Sequence, residues 1–252
     1  MLLMFEKIMD AINDKNGLTK MFLDYDGTLV DLTERPESAV PDRELLDLLN
    51  HLKREIPLYL VTGRDLDSII ALVGEGFNTI AMHGAEFVGE EGKKWYIDNF
   101  ELYQRRTLEL YSKYLHLEKE FPGLRIIDKK GGLQFHYYGV SARQMSDLER
   151  VISQVREEGF EMYSGKYVFE LRVKGVDKGK AMSRYINEND FILFAGDDRT
   201  DEEAFRQLNG QVTIKVGEGK TTARFRIDSP TSMKMLLSRF VENPDEAFRK
   251  VR

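Results

Sequence analysis

Apolar positions along the chain fall into short unbroken runs, and these alternate with stretches whose apolar residues recur at three- and four-residue spacing. Residues 21–24, Leu58–Val61 and 79–82 are runs of the first kind and predict buried strands. Between the first two, Leu45, Leu46, Leu48, Leu49 and Leu52 lie at helical spacing within residues 41–54, with Pro41 near the start. Leu66–Val73 predicts a further helix. Alternating strands and helices of these lengths argue for a parallel sheet covered by helices.

The pattern changes after the third strand. Residues 85–97 predict a hairpin around the turn-rich sequence GEEGKK at 89–94. A long helical stretch follows at 101–120 and stops at Phe121-Pro122-Gly123. Strand-like pieces come next at 124–127, 133–138 and 167–173, with a helix predicted over 143–158. Strands grouped with helices in this way predict a small α+β module. The parallel pattern then resumes with helix 179–187, strand 191–195, helix 201–208 and strand 211–216. The fold class is therefore α/β: a core domain at 1–98 and 175–252, interrupted by an inserted module at 99–174.

Composition narrows the functional classes. The chain has 252 residues, 42% of them hydrophobic, enough for a substantial buried core. Its net charge is −6 and no basic stripe with interleaved aromatics occurs, so no nucleic-acid partner is expected. Cysteine is absent, which excludes disulfides, thiolate metal sites and a cysteine nucleophile. No apolar run approaches the roughly 20 residues that span a bilayer, so no membrane partner is expected. Residues 1–17 have acids within their apolar stretch and predict an amphipathic helix, not a signal peptide. A cytoplasmic location is the corresponding expectation; the sequence does not give the oligomeric state, and a monomer is favoured.

The chemistry concentrates where strands end. Residues 22–28 read FLDYDGT: an apolar run enters two carboxylates, Asp24 and Asp26, one residue apart. Like charges this close raise each other's pKa unless a cation or a proton intervenes. A calcium loop would need an Asp or Asn at 28 and Gly at 29, where this chain has Thr28 and Leu29. Thr62-Gly63-Arg64 follows the second strand; a hydroxyl and bare N–H groups there fit an anion, although a simple helix cap reads the same way. Lys178 opens a helix. Gly196-Asp197-Asp198-Arg199-Thr200-Asp201-Glu202 follows another strand and carries four acids in six residues, more than a helix cap needs. With Asp24 and Asp26, this cluster would hold a hard cation through oxygen ligands.

In this order the four segments resemble the signature motifs of the haloacid-dehalogenase (HAD) type phosphohydrolases. Within that superfamily the closest resemblance is to trehalose-6-phosphate phosphatases. It is carried by FLDYDGTL, VTGR, MHGAE at 82–86, HYY at 136–138 and FELRVKGVDKGKA at 169–181. The family commonly reads His-Tyr-Arg where this chain has His136-Tyr137-Tyr138. The resemblance implies a Rossmann-like core with a central parallel sheet and an inserted α+β cap of the C2B type. It implies Mg²⁺ held by Asp24, Asp26 (through its main-chain carbonyl) and Asp197, with Asp24 as nucleophile and Asp26 as general acid and base. Thr62, Gly63, Arg64, Lys178, His83, Asp198 and Asp201 would bind substrate from the core, and Glu170 and Arg172 from the cap. The partner would be a small sugar phosphate. The core motifs do not separate trehalose 6-phosphate from sucrose 6-phosphate, a hexose phosphate or a glycosyl-3-phosphoglycerate. A phosphomutase and a non-catalytic sugar-phosphate sensor are further alternatives.

Overall fold

The structure, a computed structural model, describes residues 2–33, 36–165 and 167–249. Its strands in chain order are β1 (Lys20–Asp24), β2 (Leu58–Val61), β3 (Asn78–Ala81), β4 (Glu86–Val88), β5 (Lys94–Tyr96), β6 (Arg125–Asp128), β7 (Leu133–His136), β8 (Phe160–Gly165), β9 (Val168–Val173), β10 (Ile192–Gly196), β11 (Val212–Val216) and β12 (Phe225–Ile227). The chain divides into two compact units, Met1–Trp95 with Asp177–Arg252, and Tyr96–Val176.

An eight-stranded sheet in the order β12-β11-β10-β1-β2-β3-β4-β5 forms the frame of the first unit. Pairing from β12 across to β3 is parallel, and β4 returns antiparallel to β3. Strands buried on both faces need continuous apolar runs, and the central ones have them: Met21, Phe22 and Leu23 in β1 and every residue of β10 and β11 are buried. One face packs against the helices Leu2–Asn13, Arg43–Glu55, Leu66–Val73 and Pro230–Glu242 through Phe5, Ile8, Ile12, Leu49, Leu52, Ile69, Leu236 and Phe240. β1 lies between β10 and β2, so successive strands depart from it on opposite sides. In open parallel sheets, that switch point at the carboxyl strand ends is where a site forms.

The second unit is a four-stranded antiparallel sheet in the order β6-β7-β9-β8. Ile126, Leu133, Phe135, Phe160, Phe169 and Leu171 share a core with Leu110, Leu117, Leu148 and Ile152 of the accompanying helices. Period-two alternation sends Gln134, His136, Glu161, Tyr163, Glu170 and Arg172 to the opposite face.

Three expectations are corrected. The helix predicted over 143–158 is Ala142–Ser153. Its end is fixed by Arg156, whose guanidinium donates to the carbonyls of Ser153 at 2.7 Å and Val155 at 2.8 Å. β8 follows at Phe160–Gly165, a strand the sequence reading did not contain. The stretch predicted as one helix over 101–120 is two, Phe100–Tyr114 and Leu117–Glu120. Helix 179–187 is only Lys178–Ser183, capped by the Asp177 carboxylate. Beyond residue 216 lie β12 and the helices Pro230–Glu242 and Pro244–Ala247, for which no expectation was formed. No helix among the described residues is long and apolar enough to cross a membrane.

Candidate active site

Asp24 is the last residue of β1, paired in register with Val61 of β2. Only 4% of it is exposed. Its Oδ1 accepts a hydrogen bond from Lys178 Nζ at 2.6 Å, and its Oδ2 is buried with no partner among the described residues. Burial pushes the Asp24 carboxyl up to about 7; the Lys178 charge opposes this, and the carboxylates of Asp197 and Asp198 add to it.

Lys178 is itself buried and donates to Asp24 and, at 2.7 Å, to Asp201 Oδ1. Burial works against its ammonium, yet the Asp201 and Asp24 carboxylates outweigh burial and hold the pKa well above the usual lysine range. The lysine is a fixed cation between two acids.

The acidic turn after β10 is organised by the chain itself. Asp198 caps the helix Arg199–Gln207, accepting from the Thr200 and Asp201 N–H groups and the Thr200 hydroxyl. Burial alone would raise the Asp198 carboxyl. The Lys178 charge and the Thr200 hydroxyl more than offset that and hold it well below the usual carboxylate range. Asp201 completes a capping box: its Oδ2 accepts the N–H of Asp197 and of Asp198, both at 3.0 Å. These two acids were expected to face substrate. Here they brace the loop, and the Asp197 side chain has no hydrogen-bond partner among the described residues. Burial, then the neighbouring Asp198 and Asp201, pushes the Asp197 carboxyl up to about 8.

Asp197 reaches across to the turn after β1. A Cβ at Gly27 would stand 2.2 Å from Asp197 Oδ2, and Gly27 has φ +78°, so both contact and conformation require glycine there. One carboxylate oxygen each from Asp24, Asp197 and Asp201 lies within 4.8 Å of the others, an arrangement able to hold a metal ion.

Lys215, at the register position of Gly196, is a participant the sequence reading missed. It is buried, and its Nζ donates to the Asp197 main-chain carbonyl. A lysine within an apolar strand, Val212-Thr213-Ile214-Lys215-Val216, breaks the buried pattern and was the available signal.

At the end of β2, Thr62 is buried and its hydroxyl accepts the Arg64 N–H at 3.1 Å. Gly63 lets the His83 ring approach: a Cβ there would meet His83 Nε2 at 2.5 Å. His83 sits in the short turn Met82–Gly84 at φ +56°, a costly conformation for a non-glycine residue of the kind that collects at functional sites. The Arg64 guanidinium does not join Thr62 and Lys178. It grips Asp26, Nε to Oδ2 at 2.7 Å and Nη2 to Oδ1 at 2.6 Å.

In the second unit, Glu170 of β9 is the hub of the polar sheet face. Its Oε2 accepts from Arg172 Nε at 2.6 Å, and its Oε1 from Gln134 Nε2 at 2.9 Å. His136 Nε2 lies 3.0 Å from Gln134 Oε1, and the Arg172 guanidinium stacks on the Tyr163 ring at 4.6 Å. Burial, then the charge of Lys129, lowers the His136 pKa. Gln134 was not anticipated; its opposition to Glu170 across the β7–β9 pair is a register fact.

The fold is shared with a Bacteroides thetaiotaomicron phosphatase described as a member of the HAD superfamily, at TM-score 0.55 and 17% identity over 91% of this chain and 96% of that one. The fold is thus that of the HAD phosphatases. A family model described as trehalose-phosphatase matches residues 22–234. A Thermoplasma acidophilum protein named trehalose-6-phosphate phosphatase-related protein is 36% identical over 229 residues, 88% of this chain and 96% of its own length. A crystal structure described as a trehalose-6-phosphate phosphatase related protein superposes at TM-score 0.83 with 35% identity, over 89% of this chain and 97% of that one. A bifunctional trehalose-6-phosphate synthase/phosphatase of Thermoproteus tenax is 32% identical over 233 residues, which are 86% of this chain but 31% of that protein. The chain belongs to the trehalose-phosphatase family.

Proposed function

We propose that this protein hydrolyses trehalose 6-phosphate to trehalose and phosphate through a phosphorylated Asp24. The observation that carries the reading is Asp24 itself: a buried carboxylate with one oxygen fixed by Lys178 and the other unpartnered. An oxygen in that state is prepared to attack phosphorus.

The residues fit a divalent cation. Hard oxygen donors converge from Asp24 and Asp197, burial raises both carboxyls despite the opposing charge of Lys178, and the second Asp24 oxygen has no partner among the described residues. Asp24, Asp197 and the main-chain carbonyl of Asp26 would hold Mg²⁺. Bound there, it would supply the positive charge that lets a carboxylate meet a phosphate dianion, a repulsion of about 4 kcal/mol per unit-charge pair at 4 Å and an effective dielectric of ~20.

The steps by the chain's own residues are as follows. An Asp24 oxygen forms a bond to phosphorus as the bond from phosphorus to the sugar oxygen breaks. That oxygen leaves with the electron pair and takes a proton from the Asp26 carboxyl. The Asp26 carboxylate then accepts a proton from water, whose oxygen attacks the phosphorus and restores the Asp24 carboxylate. Lys178 and Thr62 stabilise charge on the equatorial oxygens of the transferring group. Gly63, His83 and the braces Asp198 and Asp201 keep these groups in place. Glu170 and Arg172, with Gln134, form the polar surface that selects sugar hydroxyls.

The test is phosphate release from trehalose 6-phosphate, sucrose 6-phosphate, glucose 6-phosphate and a glycosyl-3-phosphoglycerate, each with Mg²⁺ and with EDTA. A strong Mg²⁺-dependent preference for trehalose 6-phosphate is expected. Equal rates across the panel would refute the substrate assignment, and full activity in EDTA the metal.

A further inference from the structure

We propose that Arg64 is a positioning residue that clasps the acid–base Asp26 and sets the place of its carboxyl, in contrast to the phosphate-binding role that its motif suggests. The inference rests on the reading of Asp26 as the proton donor to the leaving oxygen.

Arg64 meets both oxygens of Asp26 with two parallel donors, Nε at 2.7 Å and Nη2 at 2.6 Å. A guanidinium fork on a carboxylate fixes its plane as well as its distance. Arg64 is the anchored member of the pair. Its side chain is 8% exposed against 30% for Asp26. Its N–H donates to Thr62 Oγ1, and its carbonyl accepts the Met82 N–H at 2.8 Å. Its guanidinium carbon lies 5.5 Å from the centroid of the Tyr25 ring, and that buried ring is tied down by its hydroxyl, which donates to the Ala39 carbonyl at 2.7 Å.

The backbone around Asp26 is also fixed. Leu29 donates to the Tyr25 carbonyl at 2.9 Å, and Gly27 to the Val30 carbonyl at 2.8 Å. The more exposed part of this assembly is the Asp26 side chain, and Arg64 holds it. An arginine that served as a phosphate ligand would direct its fork outward to the anion. This one directs its fork to the neighbouring aspartate.

The step affected is proton transfer to the leaving group, so the test compares leaving groups. A sugar alkoxide needs the Asp26 proton; p-nitrophenolate does not. For Arg64→Ala, kcat on the sugar phosphate should fall roughly 100-fold, at the low end of general acid–base contributions, with KM within about threefold. First-turnover release of p-nitrophenol should slow by less than about tenfold. Added guanidinium should recover roughly a tenth or more of the lost sugar-phosphate rate. Arg64→Ala on an Asp26→Asn background should cost little more, because the group it positions is already gone.

A rise in KM on both substrates with kcat retained would show a phosphate ligand and overturn the proposal. So would losses that simply add in the double variant. If Arg64→Ala does not fold, by circular dichroism, the same split is read on Arg64→Lys, which keeps the charge and loses the fork. A wild type that prefers another sugar phosphate overturns the trehalose assignment and not the clasp, since the alkyl–aryl comparison is then made with that sugar.

Discussion

The two units treat buried carboxylates in opposite ways. In the first, Asp24 and Asp201 share Lys178 beside Asp197 and Asp198, and burial drives the carboxyls of Asp24 and Asp197 up to about 7 and 8. Negative charge is in excess there, and an oxygen of Asp24 is left unpartnered. In the second, Glu170 is matched: Arg172 serves one oxygen and Gln134 the other. Glu157 in the same unit is likewise served by Lys113 at 2.6 Å and the Tyr114 hydroxyl. A matched carboxylate is a fixed recognition surface. An unmatched one stores a demand for a cation and for an electrophile, which is what phosphoryl transfer supplies.

The comparison breaks most severely at Asp24. Asp24→Asn keeps the shape and removes the nucleophile, and phosphate release should fall by roughly 10⁴-fold or more. Retained turnover would remove Asp24 from that role. Next is the cation: Lys178→Met strands two buried acids. Removing one partner of a buried pair costs about 3–5 kcal/mol, so the urea midpoint should drop markedly. An unchanged midpoint would mean that Asp24 and Asp201 are satisfied without it.

A change in the matched region should be milder and selective. Glu170→Ala should raise KM for trehalose 6-phosphate by roughly 10- to 100-fold, one or two good hydrogen bonds to a charged group, and barely alter p-nitrophenyl phosphate hydrolysis. Equal losses on both would deny a role in sugar recognition.

The smallest effect is in pH. The raised carboxyls of Asp24 and Asp197 bind protons in the folded state that the unfolded chain has already released above about 4. Folded protein therefore carries more bound protons between about 4 and 8, and stability must fall as pH rises through that range. Without metal, Tm should drop between pH 5 and 8.5 by roughly 2–4 °C per kcal/mol lost. Mg²⁺ should flatten the profile. A metal-free Tm that rises with pH would contradict the charge excess.

Much of this site was legible because strand ends and chemistry coincide in the chain. Asp24, Thr62 and Asp197 each follow an apolar run, and parallel pairing then brings the three ends together. Less could be read where identity depends on partners distant in sequence. Nothing in Thr62-Gly63-Arg64 says that the guanidinium turns to Asp26, 38 positions earlier. Asp198 and Asp201 look alike as acids, and only the capping geometry makes them braces. β8 was hidden because Phe160-Glu161-Met162-Tyr163 alternates only briefly after a helical stretch, and the helical spacing runs on past Ser153, where the Arg156 guanidinium binds the freed carbonyls. Gln134 gained its meaning from register alone.

The central claim is that phosphorus passes through Asp24. It is tested most directly by mixing Asp26→Asn protein and Mg²⁺ with p-nitrophenyl phosphate, quenching in acid during the first turnovers and mapping the peptides by mass. That variant can take the phosphoryl group from a leaving group that needs no proton but lacks the base to discharge it. One phosphoryl group on the peptide bearing Asp24, appearing with the burst of p-nitrophenol, is the predicted result. A burst with no added mass, or with the mass on another residue, would contradict the account.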